Sequence, residues 1–140
     1  MKKNLKQIKH VILGIILFSA SLNLTATVEY DNEKYANYFI GNWYTVDIKA
    51  ERVLFSIIRS IRMHFMPDNR FFAEADFILG VYKKWYGDYK ISSDRVYLLF
   101  DNGARETMYY SKLNNSSMLC TQPDKITANF VKEERNLTTP

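Results

Sequence analysis

Hydrolysis or acyl transfer needs a nucleophile with a base held against it, and that base is most often histidine. The chain has two histidines and one cysteine. His10 belongs to a basic N-terminal stretch, so His64 and Cys120 are the only pair from which such a site could be built. Their contexts argue against it. His64 shares an alternation face with Arg62 and Met66, which should be the outer face of a strand. Cys120 ends the run Met118-Leu119-Cys120, where a free thiol behaves as a small buried hydrophobe. A metal site would need several converging ligands, and the oxygen-rich candidates, Asp68-Asn69 and Asp101-Asn102, have the composition of turns. Glu74 and Asp76 share one strand face, as solvated carboxylates do. No catalytic residue, metal or cofactor is expected, and the sequence reads as a non-enzyme.

The residues with more to offer should face inward. Phe71, Ala73, Ala75, Phe77 and Leu79 alternate against Glu74 and Asp76, and Trp85, Gly87, Tyr89 and Ile91 form a second apolar face. Small side chains at Ala73 and Ala75 opposite the rings of Trp85 and Tyr89, with Phe77 beside them, leave room for a small apolar or amphipathic ligand. The alternative is that the alanines only accommodate those rings in a filled core. Arg59 alternates with Ile57, Ile61, Met63 and Phe65. Buried, its guanidinium would need a partner such as a bound carboxylate or phosphate, whereas a place at the mouth or a β-bulge would return it to solvent. Outward tyrosines among Tyr82, Tyr86, Tyr97, Tyr109 and Tyr110 could mark a protein or glycan contact, or simply pack well on strands.

These side chains must be positioned by β-structure. From Ile40 onward the chain runs through segments rich in Val, Ile, Tyr, Phe and Trp, each closed by Gly, Pro, Asn, Asp or Ser. Strands are predicted at 41–49, 54–66, 70–79, 81–91, 95–100, 105–113, 117–121 and 125–132. Within 50–62 the spacing of Val53, Leu54, Ile57, Ile58 and Ile61 also fits a helix, so a short helix over 50–57 can precede a strand that starts near Ile57. The connections are short and turn-like (Pro67-Asp68-Asn69, Ser92-Ser93-Asp94, Asp101-Asn102-Gly103, Asn114-Asn115-Ser116, Gln122-Pro123-Asp124), which predicts an antiparallel up-and-down meander. About eight such strands can close into a barrel that holds one small ligand. Before them, Tyr35, Tyr38 and Phe39 have helical spacing after Asp31 and Asn32, predicting a short N-terminal helix that Gly41 ends.

Ile40-Gly41-Asn42-Trp43-Tyr44, directly after that helix, resembles the G-x-W signature of lipocalins and of the shorter bacterial lipocalin-like domains. Phe65-Met66-Pro67-Asp68-Asn69-Arg70-Phe71 resembles a strand-turn-strand of that group. Trp85-Tyr86-Gly87-Asp88-Tyr89-Lys90-Ile91, followed by Asp94-Arg95-Val96-Tyr97-Leu98, is similar to its next hairpin. The resemblance spans most of residues 40–100. It implies a lipocalin-like barrel or part-barrel in which Trp43 plugs a closed end and Gly41 allows close packing there. Two departures stand out: the late-strand arginine that stacks on the signature tryptophan in lipocalins is not identifiable, and the disulfides of secreted animal lipocalins are impossible with one cysteine. The bacterial branch is the better fit.

The first residues set an address. Lys2, Lys3, Lys6 and Lys9 precede a run from Val11 to Leu24 that is apolar apart from Ser19, Ser21 and Asn23. This is the layout of a signal peptide, with an uncharged stretch shorter than the ~20 residues a membrane span needs. A signal peptide is predicted over 1–26 and one domain over 27–140, exported to the periplasm or the extracellular space, with no membrane span after cleavage. The signal lysines account for the whole formal surplus of +4, so the remainder is near neutral and nucleic-acid binding is not expected. Two functions stay open: a binder of a small hydrophobic ligand, and a cell-envelope or secreted protein-interaction or inhibitor module with a filled core, whose partner would be another envelope protein.

Overall fold

The computed structural model describes residues 28–134, so the expected signal peptide lies outside the described residues. The described chain begins with one short helix, α1 (Asn32–Phe39), and continues through β1 (Gly41–Ala50), β2 (Ile58–Phe65), β3 (Arg70–Phe77), β4 (Tyr82–Ile91), β5 (Arg95–Phe100), β6 (Arg105–Asn114), β7 (Ser117–Gln122) and β8 (Ile126–Lys132). Every neighbouring pair is antiparallel, and β1 pairs with both β2 and β8, so the eight strands close into a barrel. Closure leaves no free sheet edge along the seam and removes the pairing hazard that an open meander carries. The expected all-β meander is the architecture observed.

The turn chemistry is local and legible. Asn69, Gly103 and Asp124 take positive φ (66°, 88° and 62°), the left-handed conformation that Gly, Asn and Asp reach most cheaply. Asp68 Oδ1 accepts from the Arg70 amide at 3.1 Å, and Asn102 Oδ1 from the Ala104 amide at 2.9 Å. The Asp-Asn dipeptides are thus turn formers in the structure. α1 is capped by Asp31, whose side chain accepts from the Lys34 amide. Asn32 then fastens the helix to the sheet, donating to Tyr89 O at 2.9 Å and accepting from the Ile91 amide at 2.8 Å.

The short helix allowed over 50–57 is a 3-10 segment at residues 53–57, and β2 begins at Ile58, next to the expected start near Ile57. Two expectations about side-chain direction need correction. Arg59 does not continue the inward series: the register slips between Ile58 and Ser60, and this bulge turns Arg59 into solvent. Leu79 also leaves the inward face, because β3 ends at Phe77 and the chain passes through a tight turn, Ile78–Gly80, with Leu79 at φ 72°. The alternation is otherwise as expected, with Phe71, Ala73, Ala75 and Phe77 buried on β3 and Tyr89 and Ile91 buried on β4. Gly87 is compulsory: a Cβ there would lie 2.1 Å from the carbonyl oxygen of Leu99. Only a residue without a side chain lets β4 and β5 approach so closely.

Candidate ligand cavity

The barrel has two unlike ends. At the end carrying α1, Phe39, Trp43, Phe65 and Phe71 are wholly buried. The Trp43 indole Nε1 donates to Phe39 O at 2.7 Å, which satisfies its only polar atom inside the plug. Phe39 meets Phe65 and Tyr110 edge-on at ring-centroid distances of 5.4 and 4.8 Å, the geometry that aromatic quadrupoles favour. Lys132, in β8, places Nζ 5.5 Å from the centre of the Trp43 ring and donates to Tyr38 O at 3.0 Å. A lysine therefore supplies the cation over the signature tryptophan that sequence inspection sought as an arginine. Burial lowers its pKa. Gly41, at φ 130°, lies beneath that lysine, and a Cβ would come within 2.9 Å of Lys132 Cε. The close packing expected at Gly41 is thus against Lys132.

Tyr89, expected to line a ligand space, belongs instead to this plug. It packs edge-on to Phe65 at 5.1 Å, and its hydroxyl donates to Met66 O at 2.6 Å. Tyr110 is held in the same way, donating to Ser92 O at 2.7 Å, and burial raises its pKa from 10.0 to about 12.

Toward the other end the packing opens around Ala73, Ala75 and Ala128, and a cavity of about 120 Å³ forms. Ala73, Ala75, Phe77 and Trp85 line it as expected, together with Ile58, Ile61, Met63, Leu98, Phe100, Met108, Cys120, Ile126, Ala128 and Phe130. Arg59 and Tyr89 do not. A volume of this order matches engineered apolar cavities that take a benzene-sized guest, and lies below the ~300 Å³ where drug-sized pockets begin. The space suits one small ring or the end of an alkyl chain.

Its polar feature was missed by sequence reasoning. Glu106 points inward from β6, only 5 % exposed, and lines the cavity with Gln122. Lys125 Nζ reaches its carboxylate at 3.3 and 3.5 Å. Burying two charges costs several kcal/mol per ion unless each is well partnered, so an ion pair on an apolar wall is weak evidence for stability. The signal was present in the alternation, since Glu106 is in phase with the buried Met108 and Tyr110. Lys83 adds a second cation in an inward phase, opposite Ala75 on the neighbouring strand and half-buried.

His64 and Cys120 lie on opposite faces of the barrel wall. His64 hydrogen-bonds Asn42 and stacks on Phe72 at 4.9 Å on the outside, whereas Cys120 faces the cavity, where burial pushes its thiol well above its ordinary range. Glu74 pairs with Lys84 at 3.2 Å, and Asp76 accepts from Ser60 at 3.2 Å, both on the outer surface.

No family model matches the chain, and no curated protein matches it. Solved structures do. A lipocalin-like protein from Bacteroides uniformis ATCC 8492 superposes with a TM-score of 0.51 at 14% identity, over 69% of this chain and 99% of that one. An uncharacterized protein from Bacteroides eggerthii DSM 20697 gives a TM-score of 0.49 at 14% identity, over 67% of this chain and 98% of that one. The closed eight-stranded antiparallel barrel with its short helix is a lipocalin-like fold.

Proposed function

We propose that this chain is a non-enzymatic binding protein that holds a small apolar or amphipathic ligand in the open half of its barrel. The observation that carries this proposal is the cavity of about 120 Å³, walled by apolar side chains and marked by one buried ion pair, Glu106 with Lys125. An apolar ring or chain end would fill the space between Ala73, Ala75 and Trp85. Its polar end would exchange hydrogen bonds with Glu106 and Gln122, which orient a guest that apolar contact alone leaves free to rotate. The separation of His64 from Cys120 by the barrel wall supports a binding rather than a nucleophilic role. Export to the periplasm or the extracellular space belongs to the same proposal and rests on the N-terminal sequence.

The test is thermal unfolding with and without a small aromatic probe such as toluene. A ligand that binds the folded state alone raises the melting temperature. The wild-type chain is expected to respond, and Ala75→Phe, which places a ring in the cavity, is expected to lose the response. Arg62→Ala, an exposed change on the outside of β2, should keep it. Equal responses from wild type and Ala75→Phe would sink the proposal.

A further inference from the structure

The rim around the open end is apolar where solvent should favour polar residues. Val53 and Leu54, in the segment between β1 and β2, are 89 % and 50 % exposed, and Ile78 and Leu79, in the turn between β3 and β4, are 43 % and 81 % exposed. The two loops are neighbours, because Ile58 pairs with Phe77 and each loop adjoins one of these residues. Neither is loose chain. Phe55 is buried and anchors the first, and Phe77 N donates to Val81 O at 2.8 Å to close the second. Leu79 holds a left-handed backbone that Gly or Asn adopts at lower cost, so neither burial nor backbone preference accounts for a leucine there.

Cations flank these tips. Lys49, Arg52 and Arg59 are exposed at this end of the barrel, with no carboxylate within ion-pair distance among the described residues, and Lys83 stands nearby at the start of β4. Exposed acids share this end: Glu51 accepts from Thr127, Asp76 accepts from Ser60, and Asp124 sits in the β7–β8 turn, all keeping their charge, so the net cationic surplus is small and the cations beside the tips are Arg52 and Arg59. Apolar tips with Arg52 and Arg59 beside them match the two layers of a bilayer surface, an acyl boundary beneath anionic phosphates.

We propose that the open rim docks on an anionic lipid bilayer, with Val53, Leu54, Ile78 and Leu79 entering the headgroup region and Arg52 and Arg59 pairing with lipid phosphates. Docking in this way sets the mouth of the apolar cavity against the membrane. It goes beyond cargo binding and does not require the cavity to be filled.

A reporter on the rim tests this in the full chain, independently of any contact made by the basic N-terminus. Leu79→Trp is mixed with phosphatidylcholine vesicles with and without phosphatidylglycerol. With anionic vesicles the expected result is a blue-shifted emission that brominated acyl chains quench. Adding Arg52→Ser and Arg59→Ser should weaken partitioning roughly 30-fold, since each basic residue near such a surface contributes a factor of about five. Ala75→Phe, which fills the cavity, should dock unchanged, so a failure of cargo binding and a failure of docking are separable. A Leu79→Trp reporter that stays water-exposed on vesicles carrying the chain, or that responds equally to neutral ones, overturns the proposal. So does concentration-dependent dimerisation that shields the reporter without lipid.

Discussion

The two ends of this barrel are built from the same alternating strands and carry opposite solutions to the same problem. At the helix end large rings, with Ile91, Val96 and Met118 among them, fill the inward positions, and each polar atom of Trp43, Tyr89 and Tyr110 has a carbonyl partner. At the open end three alanines, an inward carboxylate and four exposed apolar tips leave packing incomplete. One end is organised for stability and the other gives stability up, which is the usual distribution when binding requires space and accessible surface.

The largest test of that contrast is Trp43→Ala. Truncating a fully buried tryptophan should cost about 3–5 kcal/mol, read from urea unfolding, because the plug cannot collapse around the void. The corresponding change at the open end, Ala75→Phe, should cost less than about 1.5 kcal/mol because the ring enters existing space. If the two variants are equally destabilised, the ends do not differ in packing and the contrast is wrong.

A middle-sized effect concerns alkaline pH. Tyr110 is raised from 10.0 to about 12 in the folded chain. A group whose folded pKa lies above its unfolded value contributes stability that is fully present below the unfolded pKa and is lost as pH rises through the folded one. The wild type should therefore lose stability progressively from pH 10.0 toward about 12. Tyr110→Phe should be weaker at neutral pH by about 1 kcal/mol, the net worth of its bond to Ser92, and should show a flatter decline over that interval. Ultraviolet titration of tyrosine ionisation alongside denaturant melts would show whether the plug is the source.

The smallest effect runs the other way. Leu79→Gly removes a left-handed strain worth roughly 1 kcal/mol, while the greater freedom of glycine in the unfolded chain offsets part of it. A net gain of a few tenths of a kcal/mol is expected in the melt. A loss would mean that Leu79 makes a stabilising contact in solution and that the rim is less exposed than its geometry implies.

How much of this was legible in the sequence follows from the range of each interaction. Turn chemistry and period-two alternation are local, so Asp68-Asn69, Asp101-Asn102-Gly103 and the Phe71-Ala73-Ala75-Phe77 series could be read directly, and with them the meander. Leu79 was placed inward by extending that alternation without interruption, while for Arg59 the inward series stood against a bulge or a place at the mouth. A bulge and a tight turn broke it, and both depend on how β2 and β3 meet. Tyr89 was correctly placed inside but at the wrong height, because alternation fixes a side chain's face and not its level along the barrel axis.

The sequence by itself determined the strands, their antiparallel order, the capped helix before Gly41 and the signature Trp43 at the start of β1, all of which rest on neighbours a few residues apart. Only the tertiary structure decided that Lys132 covers Trp43 from 89 positions away, that Glu106 meets Lys125 inside the barrel, and that two loops distant in sequence share one apolar rim. The physical reason is closure. Pairing β1 with β8 fixes the shear of the barrel, and the shear sets which inward residues of different strands share a level.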